Sequence, residues 1–371
     1  MNTGPDDIDA ILDPEISPHS FERTFTMSDT PSLPRRSFLG ATAIGIVATR
    51  LATGTAFAQA AGSPGRQQAS PLKRLQPLKH IVAGVLDIEY FEIDPANGAP
   101  VILLHGWPYD IHTYADVAPL LAAAGHRVIV PYLRGYGGTR FLSDKTPRNG
   151  QQSALAADVI ALMDALKIEK ATLAGCDWGA RTACIVAALW PQRVTALVSV
   201  SGYLIGSQQA GQIPLSPQAE AQWWYQYYFA TERGRLGYER NRKEFAKLIW
   251  QTASPKWGFD PATFERSAAA FDNPDHVSIV IDNYRWRIGL ADGEARFRDL
   301  EARLAQAPVI AVPTITLEGD ANGAPHPEPS AYAKKFSGPY EHRLVSGGIG
   351  HNLPQEAPEA FAAAVLDVTR L

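Results

Sequence analysis

Residues 171–179 read Ala-Thr-Leu-Ala-Gly-Cys-Asp-Trp-Gly. A short apolar run ends at Gly175, a helical pattern opens near Gly179, and Asp177 lies between them. Small residues two before and two after Asp177 permit a turn too tight for a Cβ to fit, of the kind that lifts one side chain above the carboxyl ends of parallel strands. An isolated Asp before a helix would read as an N-cap. Here the preceding strand and the flanking glycines point to a nucleophile. A carboxylate is a poor reagent for acyl transfer, but it can attack an sp3 carbon that bears a leaving group, giving an ester that water must then hydrolyse. Cys176, one position earlier, is expected to point away from the site.

On either side of this turn, strand and helix patterns alternate. The pair of runs within 79–93, then 101–104, 127–130, 171–174 and 194–200, read as strands, and 115–124, 153–166 and 179–190 as helices. The alternation resumes with strands at 312–317 and 342–345 and helices at 329–336 and 355–366. The expected fold is therefore α/β, with a mostly parallel central sheet covered by helices on both faces. Residues 202–305 interrupt the alternation and hold five of the eight tryptophans, as expected of a helical lid inserted into the core. The core then comprises 78–201 and 306–371.

The 371-residue chain is 46% hydrophobic and 19% charged, a globular composition. Its formal net charge of −4 leaves no basic excess to neutralise phosphates, which argues against nucleic acid as a partner. Two cysteines, Cys176 and Cys184, exclude a disulfide framework and a cysteine-rich metal site. The first 58 residues are expected to lie outside the fold. Arg35-Arg36-Ser37-Phe38-Leu39 resembles a twin-arginine export motif; a small-residue apolar stretch follows, and Ala56-Phe57-Ala58 fits a cleavage site. Arg50 interrupts the stretch, which is too short to be a stable membrane anchor. Residues 59–77 read as a linker. Loss of residues 1–58 removes four basic and seven acidic side chains and leaves a net charge of −1. The expected product is periplasmic or secreted, with the twin-arginine export machinery as its partner in transit.

From about residue 78 onward, the chain resembles the α/β-hydrolase superfamily, in the branch of epoxide hydrolases and haloalkane and haloacetate dehalogenases. His105-Gly106-Trp107-Pro108 resembles that family's oxyanion loop, and Arg134-Gly135-Tyr136-Gly137-Gly138-Thr139 an epoxide hydrolase loop. Gly350-His351-Asn352 resembles the catalytic-histidine loop. The resemblance implies Asp177 as nucleophile, His351 as the base that activates water, and the backbone N–H groups of Trp107 and Trp178 as oxyanion hole. It also implies Tyr225 and Tyr284 as lid phenols that protonate the epoxide oxygen. A phenol suits an alkoxide leaving group, whereas a halide needs no proton.

The third triad member has two candidates in Leu317-Glu318-Gly319-Asp320-Ala321-Asn322-Gly323. The family spacing counted from Gly319 lands on Asn322, but the carboxylate of Asp320 is the expected partner of His351. Trp107, where haloalkane dehalogenases usually carry Asn, favours an epoxide hydrolase. Asp177-Trp178 does not discriminate, and Gly179-Ala180-Arg181 resembles the haloacetate branch. The expectation is an epoxide hydrolase acting on a small apolar organic substrate, with no metal or organic cofactor, as a monomer or homodimer. A haloacid or haloalkane dehalogenase is the alternative, and a catalytically weak ligand-binding protein the third reading.

Overall fold

The computed structural model describes residues 74–93 and 97–371. The segment read as an export signal and most of the expected linker lie outside the described residues. The linker's last residues do not: Leu75 is buried in the core. No helix among the described residues is long and apolar enough to cross a membrane.

Nine strands form one sheet: β1 (Leu78–Ala83), β2 (Leu86–Ile93), β3 (Ala99–Leu104), β4 (His126–Pro131), β5 (Arg140–Phe141), β6 (Ala171–Gly175), β7 (Val194–Val200), β8 (Thr314–Gly319) and β9 (Tyr340–Val345). Their spatial order is β1-β2-β4-β3-β6-β7-β8-β9, with the two-residue β5 beside β2. β1, β2 and β4 pair antiparallel, and every contact from β4 through β3 to β9 is parallel. β6 is buried at every residue and β7 at all but one, which is why these strands read as continuous apolar runs rather than alternating ones.

The chain leaves β3 toward β4 on one side and returns to β6 on the other. This is a topological switch point, and the crevice above the strand ends opens there. Three helices flank this region: α1 (Val117–Ala123), α2 (Gln152–Ala165) and α3 (Trp178–Leu189). Between β7 and β8 the chain is helical and contributes no strand to the sheet. One expected element is split. The helix read over 355–366 is a short turn at Leu353–Glu356 and a separate helix at Pro358–Asp367. Pro358 supplies no N–H and pushes Ala357 out of helical geometry, to φ −140° and ψ 63°.

Candidate active site

Asp177 follows β6 and precedes α3, with φ 54° and ψ −119°, a region that non-glycine residues rarely occupy. Its carboxylate makes no capping bond to α3. The N-cap alternative therefore fails, and the side chain faces the crevice. The small neighbours are required sterically. A Cβ at Gly179 would strike the Leu104 carbonyl oxygen, and one at Gly106 would strike the Asp177 side chain.

The two carboxylate oxygens have different environments. Oδ1 accepts a hydrogen bond from the Trp107 backbone N–H at 2.7 Å. Oδ2 lies 3.7 Å from His351 Nε2, within ion-pair range. Trp178 is the first residue of α3, so its N–H belongs to the helix start that lacks intrahelical acceptors. Burial alone would raise the Asp177 pKa, but His351, Arg181 and the Trp107 N–H together hold it below the ordinary carboxylate range. Burial alone would likewise depress His351, and Asp177 outweighs it, so that imidazole is raised.

The loop at residues 105–108, which the resemblance made the oxyanion loop, is held by its own histidine. His105 is buried, its Nε2 accepts from the Leu133 N–H at 3.2 Å, and its Nδ1 is 3.1 Å from the Gly106 carbonyl. Burial pushes its imidazole down to about 4, so it is neutral and structural. Cys176 points beneath the His351 loop, with its thiol 3.2 Å from the His351 carbonyl oxygen.

Asp320 does not meet His351, contrary to the expectation that favoured it. Its exposed carboxylate accepts from the backbone N–H groups of Gly347, Gly348 and Ile349 at 2.8–3.0 Å, closing the loop ahead of the histidine. Three N–H donors converge on that position, which leaves its oxygens facing away from the imidazole. Asn322 takes the place instead, with Oδ1 3.2 Å from His351 Nδ1. Its Nδ2 donates to Glu318 Oε1 at 2.7 Å and lies 3.4 Å from Ser201 Oγ. Ser254 and Glu356 support the histidine from the other side. Ser254 Oγ accepts from the His351 N–H at 2.9 Å and donates to Glu356 at 2.7 Å.

Tyr225 and Tyr284 lie on two lid helices, Trp224–Ala230 and His276–Arg287. Their rings meet at 5.3 Å, and both pack on Trp107, at 5.2 and 5.1 Å. Burial, and after it the Asp177 charge, raises the pKa of Tyr225. For Tyr284 the causes in order are burial, Tyr225 and Asp177, and its pKa is also raised. Both stay protonated and able to donate. Tyr227 and Tyr228, adjacent in sequence, face elsewhere: Tyr227 bonds to Glu220, and Tyr228 stacks on Phe245.

Arg181, one turn into α3, and Arg287, one turn beyond Tyr284, both line a cavity of about 250 Å³. Burial and the Arg287 charge push the Arg181 guanidinium down to about 10. Arg287 stacks over Trp223 and Tyr284. Among the described residues, no three or more His, Cys, Asp or Glu side chains cluster as a metal site would require.

A sequence profile for the alpha/beta hydrolase fold matches residues 99–276. A Klebsiella pneumoniae protein of solved structure, provisionally described as an epoxide hydrolase, is 64% identical, with a TM-score of 0.80 over 81% of this chain and 100% of that one. The chain belongs to the α/β-hydrolase family, among its epoxide hydrolase-like members. It is also similar to Epoxide hydrolase B of Mycobacterium tuberculosis, 34% identical over 152 residues, which are 37% of this chain and 42% of that protein. The matched part is thus less than half the length of that curated relative. Haloalkane dehalogenase of Mycobacterium marinum is 36% identical over 121 residues, 32% of this chain and 39% of that protein.

Proposed function

We propose that this protein hydrolyses epoxides to diols through a covalent ester on Asp177. The observation that carries this reading is a pair of buried lid phenols packed on Trp107, the residue whose backbone N–H holds the elbow carboxylate. Asp177 Oδ2 attacks a ring carbon, the C–O bond breaks, and Tyr225 or Tyr284 gives its proton to the departing oxygen. Oδ1 becomes the ester carbonyl oxygen and stays on the Trp107 N–H.

Esterification also removes the carboxylate charge that raised His351, which favours the neutral, basic form of the imidazole. His351 Nε2 then takes a proton from water, which attacks the Asp177 carbonyl carbon. The N–H groups of Trp107 and Trp178 stabilise the resulting oxyanion, each worth about 3–4 kcal/mol in comparable sites. Collapse frees the diol and the carboxylate, and the proton on His351 restores the phenol.

Intact mass tests this directly. His351→Gln exposed to styrene oxide should accumulate an adduct of the whole epoxide mass, absent when Asp177→Asn is added. An adduct lacking the elements of HX, formed only from organohalides, would refute the epoxide assignment. A specific observation supports that second reading, a haloacid dehalogenase. Arg181, whose charge acts on Asp177, and Arg287 line one cavity, and two guanidinium groups there suit an anionic substrate. The Trp178 Nε1–H is buried without a well-formed hydrogen bond and could face a halide.

We further propose that the chain is exported by the twin-arginine route and cleaved after Ala58, on the support of Arg35-Arg36 and Ala56-Phe57-Ala58.

A further inference from the structure

Asn322 presents a chemical problem. An amide at the acid position of a triad can turn its NH2 toward the imidazole. It then stabilises the wrong tautomer, a fault that lowers kcat about 10⁴-fold in a serine protease. Here both ends of the amide are already assigned. Oδ1 accepts from the Ala324 N–H at 2.9 Å, and Nδ2 donates to Glu318 at 2.7 Å. Glu318 is buried at the end of β8, and its Oε1 accepts a second N–H, from Gly319, at 3.2 Å. A side chain meeting two donors at one oxygen is acting as an acceptor, the role of a carboxylate. With Nδ2 committed to Glu318, Asn322 can offer only Oδ1 to His351.

We propose that Glu318 is a positioning residue that acts on His351 through Asn322: it fixes the amide so that Nδ1 carries the proton, and it places the triad's negative charge one residue further from the imidazole. The relay runs from Glu318 Oε1 through the Asn322 amide to His351 Nδ1, leaving Nε2 free to take a proton from water. The titratable groups that face His351 are Asp177 across the site, Glu318 behind Asn322, Glu356 and the Cys176 thiol under its loop, and the Tyr109 phenol, whose ring packs on it at 6.1 Å. Glu318 also contributes to raising the imidazole, after the larger effect of Asp177. The arrangement explains how this site carries Asn where its family spacing calls for an acid. This inference rests on the covalent reading of Asp177 for its kinetic test, but not for its spectroscopic one.

Glu318→Met removes both the acceptor and the charge, and Glu318→Gln removes the charge alone. With styrene oxide as probe, Glu318→Met should slow hydrolysis of the Asp177 ester by at least about 10²-fold, toward the full cost of a misturned amide. Glu318→Gln should slow it less and move the acid limb of the kcat–pH profile to lower pH, because the imidazolium loses a stabilising charge. The decisive variant is Glu318→Met with Asn322→Asp. It restores a carboxylate directly against Nδ1 and should recover at least tenfold of the lost rate. A purely structural role for Glu318 predicts no recovery, and that result overturns the relay. So does a rate for Glu318→Met within threefold of the native enzyme. Where Glu318→Met does not fold, an unchanged rate and pH profile for Glu318→Gln overturns it instead. Nitrogen NMR of the His351 ring needs no substrate. At a pH where the imidazole is neutral, it should report the Nδ1–H tautomer in the native protein and Nε2–H in Glu318→Met. Tautomers as expected with no epoxide turnover would leave the relay standing and refute the epoxide reading.

Discussion

Asp177 and His351 each favour the other's charged form, and the consequence for stability has a definite sign. Mutual attraction depresses the carboxyl and raises the imidazole. The raised imidazole contributes stability that is fully present below about pH 6.5 and is lost as pH rises through its folded value. The depressed carboxyl contributes stability present above about pH 4 and lost as pH falls through its own folded value. The thermal midpoint of the native protein should therefore exceed that of His351→Gln by more at pH 5.5 than at pH 9. An equal gap would show that the pair is uncoupled. The phenols make a separate prediction. Tyr225→Phe and Tyr284→Phe should each lower kcat on epoxides by about 10- to 100-fold, and the double change by about 10³- to 10⁴-fold, the range of lost general-acid catalysis. Release of halide from any organohalide substrate should be unaffected by either.

At the scale of elements, the loop after β4 is a support rather than a reactive part. Arg134 is 1% exposed. Its guanidinium grips Asp158 of α2 through two bonds of 2.6 and 2.7 Å and also donates to the Asn149 carbonyl at 2.7 Å. Asn273, just before the helix that bears Tyr284, donates to the Tyr136 and Thr139 carbonyls of the same loop. The Arg-Gly-Tyr-Gly-Gly-Thr segment thus fixes α2 and the lid to one another. Breaking a buried pair by removing one partner is costly, because the other charge stays uncompensated. Arg134→Met should lower stability by about 3–5 kcal/mol in a urea titration, while any fraction that folds keeps an unaltered pH profile.

Over the whole molecule, the lid is joined to the core by buried polar bonds as well as by apolar packing. Trp107 Nε1 donates to Tyr238 at 2.8 Å, Tyr238 bonds His276 at 2.9 Å, and His276 bonds the Gly135 carbonyl at 2.9 Å. Trp250 Nε1 reaches the Pro108 carbonyl at 2.8 Å. Trp107, whose N–H holds Asp177, is therefore part of the lid's anchorage, and the two tyrosines inherit their positions from it. The proposed export has its own test. The periplasmic fraction should yield a chain beginning at Gln59, and replacing Arg35 and Arg36 by Lys should retain the precursor in the cytoplasm. A periplasmic product unaffected by that change would refute the route.

What the sequence determined alone is whatever depends on local geometry. The elbow needs small residues at fixed offsets from Asp177, and the apolar runs of β6 and β7 report burial on both sides, so the turn and the sheet were legible in a few consecutive residues. The choice between Asp320 and Asn322 was not. The two lie two positions apart in one turn, and which of them faces His351 depends on three N–H groups from a loop 27 to 29 residues further along the chain. Glu318 left only a faint mark, a carboxylate near the end of a fully buried strand, where burial demands a partner that the sequence does not name. Arg181 and Arg287 share a cavity only because the lid folds back over α3. Such pairings join distant segments at separations of a few ångströms, and only the tertiary structure sets those distances.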